Sequence, residues 1–409
     1  MNQIAVRYLG QPVGRLAETS AGLAFEYDPV FIATGHELSP FNLPLRPGVQ
    51  IGHRGQLPGL FQDSLPDAWG RRIMGAWLNQ NRASLPPPTQ LTLLAYIGDR
   101  GMGALTFAPA LATDAGEKEA VSLAKIHGAA TVAAKGGRVN LRALADVASF
   151  AGGARPKALL GLPRSRSGEP LAGAGELPDS HEAWLVKFDL SRDGTAGPLE
   201  EAYALMARAA GIDLPETNLL ETRQRKIIRR HFAVKRFDRE RTLRSHHHTL
   251  AALCQMDSGD LDYETYLRVT RRLTQDEAEV WRAFRRAVFN VLAHNRDDHG
   301  KNHGFIYRDR QWTLGPAYDL TFVSPVDQPM RGMSVAGDRW TTAQPHLVRL
   351  AESEGLDRRI AAGVIEEVRS AIARWREFAD QAQVPSLKAA EVGQVLTSAP
   401  RPRLVPSVW

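Results

Sequence analysis

The chain has 409 residues, 43% hydrophobic and 23% charged, with a formal net charge of +6. These proportions are ordinary for a globular protein and allow two or three folding units. One cysteine, Cys254, excludes an internal disulfide and a thiolate-based zinc site. No window reaches the ~18 apolar residues of a membrane helix, and Met1-Asn2-Gln3-Ile4-Ala5-Val6-Arg7 lacks the layout of a signal peptide. A cytoplasmic protein with no membrane partner is the expectation.

Residues 1–108 read as strands and turns: Ile4 to Leu9 alternates, Gly10-Gln11-Pro12 turns, Val13 to Leu16 returns, and a second pair lies near Leu23 to Tyr27. A helix is expected from about Asp67, with Trp69, Ile73, Met74 and Trp77 at helical spacing. Gly98-Asp99-Arg100-Gly101-Met102-Gly103-Ala104 lacks the Lys-Ser/Thr end of a phosphate loop and reads as tight turns. Residues 108–140 read as an exposed connector rich in Ala and Gly.

A mixed unit over 140–245 follows. Lys157 to Leu162 and Ala183 to Phe188 are strands, separated by a Gly/Pro/Ser-rich loop from Pro163 to Ser180. A helix from Pro198 to Ala210 ends at Gly211, and Leu219 to Glu221 and His231 to Lys235 are further strands. From Glu221 to His248 there are ten Lys/Arg against three Asp/Glu, and that excess of seven exceeds the surplus of the whole chain. Such a stretch attracts phosphates or nucleic acid, but two solvated strand faces account for it, with Ile227-Ile228 and Phe232-Ala233-Val234 turned inward. His246-His247-His248 reads as an exposed loop, because adjacent histidines cannot share one metal ion on regular structure.

The last unit, 246–400, is mainly helical; Asp276 to His294 carries the clearest apolar stripe. The end of the chain, from Gln383 into Ala399-Pro400-Arg401-Pro402-Arg403, reads as a loose tail. The densest polar cluster follows the long helix: Asn295-Arg296-Asp297-Asp298-His299-Gly300-Lys301-Asn302-His303. A hairpin then runs from Phe305-Ile306-Tyr307 to Trp312-Thr313-Leu314 and returns the chain to Asp319. Hairpins join their ends, so Asp297, Asn302 and Asp319 can converge.

Phosphoryl transfer needs such groups: a carboxylate to orient the attacking hydroxyl, and an amide oxygen with a second carboxylate to hold magnesium against phosphates. Lys301 is placed to offer positive charge to the developing anion. The plainer alternatives are a polar turn, or a metal pair at His299 and His303; those two histidines flank a glycine on a loop rather than one helix face. Upstream, Ser149-Phe150-Ala151-Gly152-Gly153-Ala154-Arg155-Pro156-Lys157 is a glycine-containing loop leading into a strand. Lys187 interrupts an apolar strand, and the helix after it offers Glu200 and Glu201 as partners. A strand lysine joined to a helix glutamate and to nucleotide phosphates is the kinase arrangement, against the plainer reading of a surface lysine on an edge strand.

These residues resemble the HipA-type toxin kinases over about residues 4–375. Phe61 to Gly70 resembles the N-terminal signature, and Ile97 to Ala104 the motif closing that subdomain. Gly152 to Lys157 resembles the nucleotide loop, Val234 to Arg239 the hinge segment, and Asn295 to Asn302 with Tyr318-Asp319-Leu320 the catalytic and metal motifs. The resemblance implies an α+β, bilobal protein-kinase-like fold with an extra N-terminal β-rich subdomain and a mainly helical C-terminal lobe. It implies ATP and Mg2+, with Asp297 as base and Lys301 beside it. Asn302 and Asp319 would hold the metal. Gly152, Gly153, Ala154, Arg155, Pro156, Lys157 and Lys187 would meet the phosphates. Lys235, Arg236 and Phe237 would lie near adenine through their backbone, and His299, Asn302 and Tyr318 would line the site.

A HipB-like helix-turn-helix antitoxin, operator DNA reached mainly through it, and an aminoacyl-tRNA synthetase substrate are the implied partners. One register differs. The family's autophosphorylated serine stands two residues before the loop, where this chain has Phe150; Ser149, one place earlier, is the candidate. A small-molecule kinase of related fold and a non-catalytic antitoxin- or DNA-binding scaffold are the competing readings.

Overall fold

The computed structural model describes residues 2–66, 68–80, 89–111, 120–137, 155–165, 168–173, 175–224 and 226–398. Alternation at the start of the chain builds an antiparallel sheet from β1 (Gln3–Tyr8), β2 (Gln11–Thr19), β3 (Gly22–Tyr27), β4 (Val49–Ile51) and β5 (Leu105–Ala108), in the order β4-β3-β2-β1-β5. Ile4, Val6, Leu16 and Phe25 fall on one face, as a period of two requires, and are buried. The helix Ala68–Gln80 buries Trp69, Ile73 and Met74, three of the four positions its spacing marked; the side chain of Trp77 lies outside the described residues.

The second sheet joins β6 (Lys157–Pro163), β7 (Leu171–Ala172), β8 (His181–Lys187), β9 (Thr217–Gln224) and β10 (Ile227–Lys235) in the order β7-β6-β8-β10-β9, all antiparallel. Strand β8 is central, so Lys187 does not lie on an edge. The helix Ala196–Ala209 packs on the face carrying Lys187 and Phe232, and Gly211 closes it at φ +75°, a conformation glycine adopts without a Cβ clash. Below lies a helical lobe built on Tyr263–Thr274, Glu277–Leu292 and four later helices. It is entered through a two-stranded ribbon, β11 (Arg239–Glu240) and β12 (Leu243–Arg244), and carries a small sheet of β13 (His246–Thr249), β14 (Gly304–Arg308) and β15 (Gln311–Leu314). A sheet with one inner helix above a helical lobe is the bilobal, kinase-like arrangement, here with an added N-terminal β unit.

The structure corrects several expectations. His246, His247 and His248 are buried on β13 rather than exposed in a loop; pairing with β14 makes them strand residues. Ile227 and Ile228 point to solvent, because β10 outruns its covering helices there, while Phe232 and Ala233 are buried. The connector contains a helix, Leu123–Ala134, capped by Ser122 and burying Ile126, His127, Ala130 and Ala133. The loop after β6 contains β7, and the stretch after Gln383 forms the helix Ser386–Thr397, while Ala399 to Arg403 lie outside the described residues. Among the described residues no helix is long and apolar enough to cross a membrane.

The N-terminal unit is bolted to the lobe that carries the polar cluster. Asp63 Oδ2 lies 2.7 Å from His248 Nδ1 and accepts from Thr249 N at 2.7 Å, while Oδ1 accepts from the Thr249 hydroxyl at 2.7 Å. Burial pushes the Asp63 carboxyl up, but the His248 contact and the Thr249 backbone hold it below the usual range. Ser39 Oγ sits 3.0 Å from His248 Nε2. This Ser-His-Asp line has the distances of a hydrolytic triad, yet Ser39 is only 1% exposed and no substrate reaches it; it is a joint between units.

Candidate active site

A cavity of about 700 Å³ opens between the two lobes. Its roof is the inner face of the sheet (Leu185, Lys187, Phe232, Val234), and its floor holds Asn302, Tyr318 and Asp319. Lys187 reaches across it. Its Nζ lies 2.5 Å from Glu200 Oε2 and also bonds Asp319 Oδ1. Burial opposes the ammonium charge, but Asp319 and Glu200 more than offset it, and the amine stays charged. Asp319 is likewise desolvated, yet Lys187, Lys157 and Arg155 hold its carboxyl far below the usual range. Its φ of 58° is left-handed, a region that aspartate tolerates better than most side chains.

The packing of the helix Ala196–Ala209 on β9 and β10 sets which glutamate serves. Glu200 is buried, and its other oxygen, Oε1, accepts from Arg155 Nη1 at 2.8 Å. Glu201 instead accepts from the Thr217 hydroxyl at 3.2 Å. Arg155 thereby joins the cluster, while Pro156 accepts from Phe188 N at 2.9 Å and Lys157 is buried at the start of β6. Ser149, Gly152, Gly153 and Ala154 lie outside the described residues.

The polar loop divides its labour between neighbours. Asp297 is half-buried, and its backbone carbonyl accepts from Asn302 Nδ2 at 2.7 Å, which orients the Asn302 amide. Burial raises the Asp297 carboxyl; His299, 3.7 Å away, pulls it back, while Asp319 and Asp298 push it higher. Asp298 faces inward. It accepts from Tyr263 OH at 2.8 Å, Arg331 Nη1 at 2.7 Å and Gly332 N at 2.8 Å. His303 packs 4.4 Å from the Tyr266 ring and is held neutral by burial, down to about 3. His299 and His303 therefore do not face one ion, and among the described residues no His/Cys/Asp/Glu cluster could hold one. The oxygens of Asn302 and Asp319 fit a hard cation that takes its remaining ligands from water and phosphate.

Lys301 is exposed on the cavity wall, and its carbonyl accepts from Tyr318 OH at 2.7 Å. Phe237 stacks on Tyr318 with centroids 5.9 Å apart, and His247 packs edge-on against both rings. The amides of Lys235 and Arg236 are already taken by Glu216 O and Ala183 O. The Lys235 side chain pairs with Glu182 at 2.7 Å. Arg236 turns its guanidinium away, to Asp238 at 2.7 Å and the Gly101 carbonyl at 3.1 Å. Asp238 also accepts from Gly103 N and Arg239, so the turn-rich motif of residues 98–104 clamps the hinge to the N-terminal unit. Sequence reasoning missed that this unit lines the cavity through Gln62, Asp63, Leu65, Arg71 and Met102; the polar residues among Phe61 to Gly70 were the available signal.

A lysine–glutamate pair above an Asp/Asn loop, between two lobes, is a kinase-like architecture. Residues 4–108 match the model of the HipA N-terminal domain, and residues 149–375 that of the HipA-like C-terminal domain. The chain belongs to the HipA family. A curated relative, Y4dM of Sinorhizobium fredii, named as a candidate kinase, is 26% identical over 338 residues, covering 78% of this chain and 76% of that protein. HipA of Shewanella oneidensis MR-1, solved in a toxin–antitoxin complex with HipB and operator DNA, superposes with a TM-score of 0.70 at 16% identity, covering 96% of this chain and 94% of that one. The shared fold spans the chain from the N-terminal unit to the helical lobe.

Proposed function

We propose that the chain is an ATP- and Mg2+-dependent serine/threonine protein kinase, the toxin of a HipBA-like toxin–antitoxin pair. The observation that carries this reading is Lys187, bound at once to Glu200 and Asp319 at the heart of the inter-lobe cavity. The pair orients the ammonium toward phosphates, and Arg155 and Lys157 add positive charge beside it. Asn302 and Asp319 would hold Mg2+, which supplies charge neutralisation on the phosphate oxygens. Asp297 accepts the proton of the attacking hydroxyl; its partial exposure leaves room for a protein side chain. Lys301 and His299 stand at the mouth, and Phe237 and Tyr318 flank the base. A HipB-like helix-turn-helix antitoxin, contacting operator DNA, is the partner this reading implies, and an aminoacyl-tRNA synthetase is the acceptor.

Transfer of labelled γ-phosphate from Mg-ATP tests it, with the chain itself and a lysate of cells lacking it as acceptors. The wild type is expected to label a discrete protein band and Asp297→Ala to lose at least ~100-fold of that rate. ATP binding without label on any protein would favour a small-molecule kinase; label undiminished in Asp297→Ala would remove Asp297 from the chemistry.

A further inference from the structure

Behind the sheet, on the face away from the cavity, lies a polar cluster that the proposed chemistry does not use. His231 on β10 is fully buried, and His127, from the helix Leu123–Ala134, is 5% exposed against it with ring centroids 4.5 Å apart. Thr222 Oγ1 stands between them, 2.8 Å from His231 Nε2 and 3.1 Å from His127 Nδ1. The remaining His231 nitrogen, Nδ1, accepts from the backbone N–H of Asp189 at 3.0 Å.

That last contact fixes the direction of the whole chain. An imidazole nitrogen that accepts carries no proton, so a neutral His231 is protonated at Nε2 and donates to Thr222. The Thr222 hydroxyl is then free to donate onward to His127 Nδ1. Both rings are neutral near pH 7: burial, with His127 and Arg229 nearby, lowers His231 to about 3, and burial with Arg229 lowers His127.

The chain ends at the helix that carries Glu200. Asp189 is 1% exposed, and its Oδ2 accepts from Gly197 N at 3.1 Å, in the first turn of Ala196–Ala209. Its Oδ1 accepts from Ser191 N and the Ser191 hydroxyl, and Ser191 Oγ accepts from Thr195 N at 3.1 Å. Thr195, at the cap position, makes no capping bond of its own, so the Asp189 carboxylate does that work. Gly197 lets the first turn lie against β10; a Cβ there would stand 2.1 Å from the Arg230 carbonyl. Glu200 follows three residues on.

We propose that His127, Thr222 and His231 are positioning residues for the Lys187–Glu200 pair. They act through Asp189, and they make the seating of the helix Leu123–Ala134 a condition for catalysis. This rests on the kinase reading, because only there does the placement of Glu200 govern a rate. None of the three touches the cavity.

Thr222→Val keeps the side-chain shape and removes the hydroxyl that links the two rings. With full-length protein, the readouts are the maximal rate and the KM for Mg-ATP in γ-phosphate transfer to lysate protein, with thermal unfolding followed in parallel. A misplacement of about an ångström costs up to ~100-fold in rate. The expected result is about a tenfold fall in maximal rate with KM within about twofold and unfolding still cooperative. Thr222→Ser, which restores the hydroxyl, returns the rate. His127→Phe, which keeps the ring against Phe188 but lacks the acceptor, repeats the loss and serves if Thr222→Val does not fold. A wild type that transfers phosphate while Thr222→Val and His127→Phe match it overturns the relay alone. A rate loss that follows only the unfolded fraction does the same. A wild type that transfers no phosphate overturns the kinase reading and the relay with it.

Discussion

Asp297 and Asp298 are neighbours with opposite surroundings. The first is half exposed beside His299 and Asn302, which line the cavity; the second is wholly buried between Tyr263, Arg331 and Gly332. Asp298→Ala leaves the Arg331 guanidinium, itself 1% exposed, without its carboxylate. Removing one member of a buried pair costs about 3–5 kcal/mol. Urea unfolding should register that loss in Asp298→Ala, whereas Asp297→Ala should move stability by only about 0.5 kcal/mol. Equal effects in the two variants would contradict the division of roles. At this scale the convergence of Asp297, Asn302 and Asp319 was legible, since their spacing requires only that a hairpin join its ends. The choice between Glu200 and Glu201 was not legible. Adjacent residues on a helix point about 100° apart, and only the packing of that helix on β9 and β10 turns one of them toward Lys187.

Strands and helices with strong periodicity fell where their patterns placed them: the alternating N-terminal hairpin, the Lys187 strand, and the long helix capped by Asp276. Elements defined by tertiary contact did not. His246-His247-His248 carries no apolar period, and it becomes a strand only because β14 pairs with it and Leu38, Ser39 and Asp63 take up polar atoms of His246 and His248. Half of the helix Leu123–Ala134 is alanine and glycine, and it is too weakly patterned to separate from a linker. Its burial depends on a sheet whose strands lie 20 or more residues further on. The clamp of Arg236 and Arg239 on the Gly101–Gly103 turn joins segments more than 130 residues apart, a distance that local patterning does not span.

Across the whole molecule, histidine rings withdrawn from water should make the fold sensitive to acid. Burial lowers His231, His246 and His303 to about 3 and His294 to about 4. In the unfolded chain each takes a proton near pH 6.5. The unfolded chain therefore binds more protons than the native one between about pH 6.5 and the folded values, and stability falls as pH drops through that window. Each fully engaged histidine contributes about 1.4 kcal/mol per pH unit, so the four together reach about 5 kcal/mol per unit well below pH 6. Urea midpoints measured from pH 7.5 to 5 should hold nearly steady above pH 7 and then fall steeply; a flat profile to pH 5 would mean that these rings are not held neutral.

The account turns on Lys187, Asn302 and Asp319 forming a Mg-nucleotide site. Calorimetric titration of ATP, with and without Mg2+, into the wild type and Asp319→Ala tests that claim most directly. One site per chain is predicted, with Mg2+ tightening ATP by at least about tenfold in the wild type, a gain of about 1.4 kcal/mol, and that gain lost in Asp319→Ala. A wild type that binds no ATP, or a variant that keeps the full Mg2+ effect, would contradict it.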